Sequence, residues 1–246
     1  MSARYQIDHG IVIRRTVLPN GDVVATLLSE RGKWRGIARK GTKLGGNLGR
    51  LSLFHDVTVQ HYRRRADDLA LVTQVELNGA LPMLADPGVY PYAHLLAELT
   101  DRLTVDVHLG EKIYAYLASG LRGLNQHADA EAVALAYAWR LLEQAGLGPE
   151  MDRCVHCGAD RDLLRFDVHA GGMACTACGV GLSLQPAEAA ALTELVRAPV
   201  RRSLRVPELE RPALWRVLGR YVAYHVAPLS SFRLLPRVGA TLEHGV

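Results

Sequence analysis

No apolar run in this chain approaches the roughly 20 residues that a helix needs to cross a bilayer. The opening residues, MSARYQIDHG, hold no apolar stretch of the kind that directs secretion. A cytoplasmic protein without a membrane partner is therefore expected. Aromatic residues make up only 6% of the chain, so stacking platforms are few. Cysteine is limited to four residues, and residues 31–50 contain no acid at all. Catalytic signatures are missing too. There is no G-x-S-x-G, no H-E-x-x-H and no pair of carboxylates in a recognisable frame. The stretch GTKLGGN lacks the order of a phosphate-binding P-loop and is not set between a strand and a helix. His9, His94 and His225 are isolated. These absences argue against an enzyme.

The chain has 246 residues and 49% hydrophobic content, enough for one large or two to three small domains with a real core. The net charge of +4 is unevenly spread. Residues 1–80 carry 13 Lys/Arg against 7 Asp/Glu, whereas the remainder carries 16 against 18. A second basic run spans 197–237, with nine Arg against Glu208 and Glu210. Charge separated in this way suggests a polyanionic partner.

Residues 7–78 read as strands. HGIVIRRTVL ends at a Pro19-Asn20-Gly21-Asp22 turn signal. VVATLLSE and KWRGIARK follow around a tight turn at Arg31-Gly32. A glycine-rich, mobile loop is expected over 41–49. LSLFHDVTVQHYRRR then reads as one long strand broken near Asp67, and LALVTQVEL closes the set. Five strands in about 75 residues fit a small closed barrel, OB-fold or SH3-like. From YAHLLAELTDRL onward the apolar spacing is helical. Helices are expected over 92–103, 111–124, 128–146 and 186–198, with a last one starting between Pro207 and Pro212. The organisation is multidomain α+β. It comprises a barrel at 1–80, a helical domain at 81–149 and 185–246, and a cysteine module inserted at 150–184.

The cysteines form two pairs, Cys154/Cys157 and Cys175/Cys178, spaced C-x2-C-x17-C-x2-C. A two-residue gap lets both thiolates of a pair turn toward one ion, and two such knuckles close a tetrahedral S4 site. Gly158 and Gly179 follow the knuckles. One Zn²⁺ is the expected ion. Four thiolates leave no open position for water, so its role is structural, stabilising a module with little core of its own. His156 and His169 are bystanders.

The basic stretch at 31–50 is the candidate nucleic-acid site. On a strand, Lys33, Arg35 and Arg39 share a face with Ile37, opposite Trp34, Gly36 and Ala38. Like charges on one face repel unless an anion lies between them. Arg31, Lys40, Lys43 and Arg50 extend the patch, and Arg14 and Arg15 on the first strand join it. Trp34, Phe54 and Tyr62 are the aromatics within reach; Trp34 suits the core better than stacking. Backbone binding with little sequence preference and steep salt dependence follows. Arg63, Arg64 and Arg65 form a weaker candidate. An RNA-binding accessory protein is the alternative. A metal-dependent nuclease and a pure protein scaffold are more distant ones.

Several stretches resemble the RecO family of bacterial DNA-repair and recombination-mediator proteins. HGIVIRR with VVATLLSERGKWRGIARKG is similar to its opening. GLGPEMDRCVHCGA followed by FDVHAGGMACTACG is similar to its zinc module, and YVAYHV followed by SSFRLL to its end. The resemblance implies an N-terminal OB-fold and a helical domain with an inserted zinc finger. It implies binding of single- and double-stranded DNA, annealing of complementary strands, and work with RecR in loading RecA onto DNA coated by single-strand-binding protein. It also implies contact with the acidic, apolar C-terminal tail of that protein. Arg201, Arg202, Arg205, Arg216 and Arg220 are candidates for that contact. One departure is visible: the family's usual Lys-Ser near the end is Ser230-Ser231 here.

Overall fold

A computed structural model describes residues 5–43, 45–63, 69–79, 81–104 and 110–235. The alternating apolar residues at the front form β1 (Tyr5–Val17), β2 (Val23–Ser29), β3 (Gly32–Ala38), β4 (Asp56–Tyr62) and β5 (Ala70–Gly79). They close into a barrel of order β1-β2-β3-β5-β4, with β4 pairing back onto β1 and a parallel β3–β5 contact. Placing β5 between β3 and β4 is the crossing of an OB-fold and not a simple meander. Inward residues such as Val12, Val23, Leu27, Val57 and Val59 fill the barrel.

The expected long strand over 51–65 is shorter than its residue pattern suggests. Residues 51–55 form turns, and β4 begins only at Asp56. The reason is a division of labour. Leu51 drops into the barrel core, while Phe54 is buried in the helical core. To point the other way, Phe54 adopts a left-handed φ of 66°. Two backbone bonds hold it there: Phe54 N–H donates to the Val12 carbonyl, and Val12 N–H donates to the His55 carbonyl. Arg64, Arg65 and Asp67 lie outside the described residues.

The helical periodicity resolves into α1 (Tyr90–Leu103), α2 (Gly110–Gln126), α3 (Ala130–Gln144), α4 (Pro186–Arg197), a short α5 (Val200–Ser203) and α6 (Arg211–His225). Asp129 caps α3 by accepting from Ala132 N–H. Gln185 and Glu188 form a capping box at α4. One apolar core joins these helices to Ile11, Ile13, Leu28 and Phe54 of the barrel, so barrel and helices are packed together.

The cysteine segment adds β6 (Arg165–Asp167), β7 (Gly172–Ala174) and β8 (Leu182–Ser183), in the order β7-β6-β8. Its own buried cluster is only Cys154, Ala174 and Cys175. Phe166 and Met173 leave it to join the helical core, where Phe166 meets Tyr221 of α6 edge to face.

Candidate nucleic-acid interface and metal centre

The strand β3 alternates as expected up to Ala38: Gly36 and Ala38 are buried, Arg35 is exposed and Ile37 half-buried. The strand ends there, so Arg39 is not on its face but is exposed in the turn that follows, where Lys40 takes a left-handed φ of 50°. Trp34 turns inward and lies 4.4 Å from the buried His61 ring, so it is not a free platform. His61 in turn bonds Asp8 at 2.8 Å.

The basic side chains at the front divide into two groups. One group is tied to the protein itself. Lys33 Nζ donates to the Asp101 side chain at 2.8 Å and to its carbonyl at 2.6 Å. Arg14 lies 3.7 Å from the same carboxylate, and Arg31 lies 3.6 Å from Asp8. Arg15 donates to the Leu48 carbonyl and to Ser52 Oγ, clamping the β3–β4 loop. The other group is Arg35, Arg39, Lys40, Lys43 and Arg50. All five are exposed, and none has a carboxylate partner among the described residues.

The loop carrying Lys40 and Lys43 differs from the expected free strap. Asp22 accepts Lys40 N–H, Thr42 bonds the Gly21 carbonyl twice, and Leu48 N–H returns to the Gly41 carbonyl. The loop is therefore pinned on the β1–β2 turn, and its cations are presented from a defined surface.

At the candidate metal centre, the four thiol sulfurs all lie within 4.8 Å of one another. Cys154 and Cys178 are 3.8 Å apart, and Cys157 and Cys175 are 3.6 Å apart. A tetrahedron with metal–sulfur bonds of about 2.3 Å has edges of about 3.8 Å, so the cluster fits one ion. Gly158 and Gly179 take φ of 75° and 70°, turning each knuckle where a Cβ would be strained. A hydrogen bond from the Cys175 backbone, with others from Cys157 and His156, brings the Cys154 thiol down to about 6. Hydrogen bonds with the Cys175 and Cys157 side chains push Cys178 up to about 12. Four thiolates this close repel one another, and a divalent cation supplies the charge that lets them ionise together. His156 instead bonds Asp167 at 2.8 Å, and His169 packs on Tyr224.

The late arginines do not form one cluster. Arg201, Arg202 and Arg205 are exposed around α5, with Arg202 bonded to Glu194 at 2.8 Å. Arg216 and Arg220 lie on α6 against the cysteine module. Arg216 bonds the Ser183 carbonyl, and Arg220 borders a cleft of about 710 Å³ with Phe166, His169 and Tyr224. Arg211, which charge counting alone places in the same run, is a buried structural residue paired with Asp129 and Glu131. Tyr5, absent from the expected aromatics, is 60% exposed beside Tyr62, and only strand pairing brings the two together.

The barrel has OB topology, carries exposed cations, and is packed on a helical unit beside a four-cysteine cluster. Residues 1–80 match the family described as Recombination protein O N terminal, and residues 84–231 match Recombination protein O C terminal. The chain belongs to the RecO family, and its role lies in DNA repair and recombination. It is 29% identical over 242 residues to DNA repair protein RecO of Thermobifida fusca, covering 94% of this chain and 98% of that one. It is 30% identical over 247 residues to the Pelotomaculum thermopropionicum protein of the same name, covering 96% and 94%. The Bacillus pumilus protein is 29% identical over 174 residues, 69% of this chain and 66% of that one. Among the described residues no helix is long and apolar enough to cross a membrane.

Proposed function

We propose that this chain is a non-enzymatic recombination mediator. It binds single- and double-stranded DNA and anneals complementary strands. With RecR it helps load RecA onto single strands coated by single-strand-binding protein, at the nucleoid in the cytoplasm. The observation that carries this reading is the set of five exposed cations on β3 and the loop after it, Arg35, Arg39, Lys40, Lys43 and Arg50, none with a carboxylate partner among the described residues. Phosphates are the natural counter-charge for such a surface, and releasing their condensed ions drives binding. Arg14, Arg15, Arg31 and Lys33 border the patch and contribute less, because each already has a partner in the protein.

Annealing then needs no covalent chemistry. Screening the repulsion between two phosphate backbones lowers the barrier to their meeting. Cys154, Cys157, Cys175 and Cys178 hold one structural Zn²⁺, which fastens residues 150–184 onto the helical unit at 81–149 and 185–246. The barrel unit, 1–80, takes the DNA. The α5 arginines Arg201, Arg202 and Arg205 are candidates for the acidic tail of single-strand-binding protein; Arg216 and Arg220 offer a second place for it.

The test is a gel-shift and strand-annealing assay with purified protein, with and without single-strand-binding protein. Annealing that falls steeply with salt is expected. Equal annealing with and without the protein at low salt would sink the reading.

A further inference from the structure

Cross-strand registers on the outer face of the barrel align four apolar side chains from four different strands. Ile37 of β3 is paired with Leu71 of β5, Leu71 with Tyr62 of β4, and Tyr62 with Tyr5 of β1. All four point outward. Their strand neighbours Gly36, Ala38, Ala70, Val72 and His61 are buried, whereas Ile37, Leu71 and Tyr62 are half-buried and Tyr5 is 60% exposed. The Tyr5 and Tyr62 rings meet edge to face with centroids 5.5 Å apart. Two residues along β4, a second row runs Gln74, Gln60 and Ile7, and Ile7 is 66% exposed. Neither row contains a carboxylate.

The row starts inside the cationic patch. Arg35 lies two residues before Ile37 on the outer face of β3, and Arg39 follows in the turn just past the strand end; both are exposed, with no carboxylate partner among the described residues. From there it crosses three inter-strand gaps of about 4.8 Å each, or about 14 Å in all.

The geometry points to a base-stacking track for a single strand. It runs from Ile37 across Leu71 to the Tyr62–Tyr5 pair, perpendicular to the barrel strands. Arg35 and Arg39 take phosphates at its start. The apolar row receives unpaired base faces, and the glutamine amides lie beside it for base edges. This rests on the reading that the chain binds single-stranded DNA, and adds how bases as well as phosphates are held. The occupant is a nucleic acid strand because exposed arginines and tyrosines together suit a ligand that alternates anions with flat rings. A duplex, whose bases are stacked inside, would use the arginines alone.

The experiment measures affinity by fluorescence anisotropy for labelled oligothymidine and for a strand of equal length with abasic sites. Four proteins are compared: wild type, Tyr5→Ala, Tyr5→Ala with Tyr62→Ala, and Arg35→Ala with Arg39→Ala. Tyr5 is exposed enough for its truncation to leave folding intact, and circular dichroism checks the double variant. The expected result is a loss of about fivefold or more per ring on oligothymidine, with little loss on the abasic strand and an unchanged salt slope. If the arginine variant weakens binding while both tyrosine variants bind as wild type, the track is wrong and the DNA-binding reading stands. If none of the variants weakens binding, both fail. Equal losses on the abasic strand, or loss of a protein partner with DNA affinity intact, would also overturn the track.

Discussion

Lys33 Nζ lies 2.8 Å from the Asp101 carboxylate, 68 residues further along the chain, and this pair bolts β3 of the barrel to α1. A strand position that alternation assigns to the cationic face is thereby spent on joining two structural units. The Lys33 side chain is 24% exposed and that of Asp101 13%, so neither is a free surface charge. Lys33→Ala is expected to cost about 1–3 kcal/mol of stability by leaving Asp101 poorly satisfied. Urea denaturation measures it, and an unchanged midpoint would contradict the structural role.

Arg35 and Arg39 have no such anchor among the described residues. Replacing both with alanine removes two phosphate contacts and should make the salt dependence of single-strand binding shallower by about 1.4 in log–log slope. The fold should survive. Binding measured over a salt series checks this, and a slope equal to that of wild type would remove these two residues from the interface.

One zinc per chain is expected from elemental analysis of the purified protein. Stripping it should lower the melting temperature by more than about 5 °C, because ligation of this kind contributes about 10 kcal/mol to folding. The loss should reach the helical domain, since Phe166 and Met173 sit in its core. Cys175→Ser should reproduce the effect, whereas His156→Ala should retain the metal. Metal lost from the His156 variant would show that the histidine had been misread.

Arg211 is 7% exposed at its side chain and binds both Asp129 and Glu131. Arg211→Ala should cost about 3–5 kcal/mol, since two carboxylates lose their counter-charge.

The same network predicts an acid limit. Burial would raise the Asp129 pKa, but the Ala132 N–H and Arg211 hold it below its ordinary 3.8. In Glu98 burial acts the same way, and the Ser231 and Ser230 donors outweigh it, keeping the group below 4.5. A depressed carboxylate binds fewer protons when folded than when unfolded. Its contribution is therefore full above the ordinary value and lost as pH falls through the lower, folded one. Stability should fall on acidification below about pH 4.5, and Asp129→Asn should flatten that fall in a denaturation series.

The cysteine centre was legible from spacing alone, because two C-x2-C knuckles constrain their own geometry locally. The five strands and the main helices were legible from periodicity, and the start of α6 from Pro207 and Pro212. The turn at 51–55 was not, since Leu51 and Phe54 diverge into two cores that only the assembled protein contains. Charge was the least legible property. Arg211 and Arg39 look alike in a basic run, yet one is buried between two acids and the other is open to solvent.

Local patterning was thus sufficient for most element types, the barrel's amphipathic strands and the two cysteine knuckles, because each depends on neighbours a few residues away. Tertiary packing decided which cations stay free, and it aligned Tyr5 with Tyr62, Leu71 and Ile37. Those outcomes depend on residues distant in sequence. A charge is neutralised, or a ring exposed, by whatever the closed barrel and docked helices bring beside it.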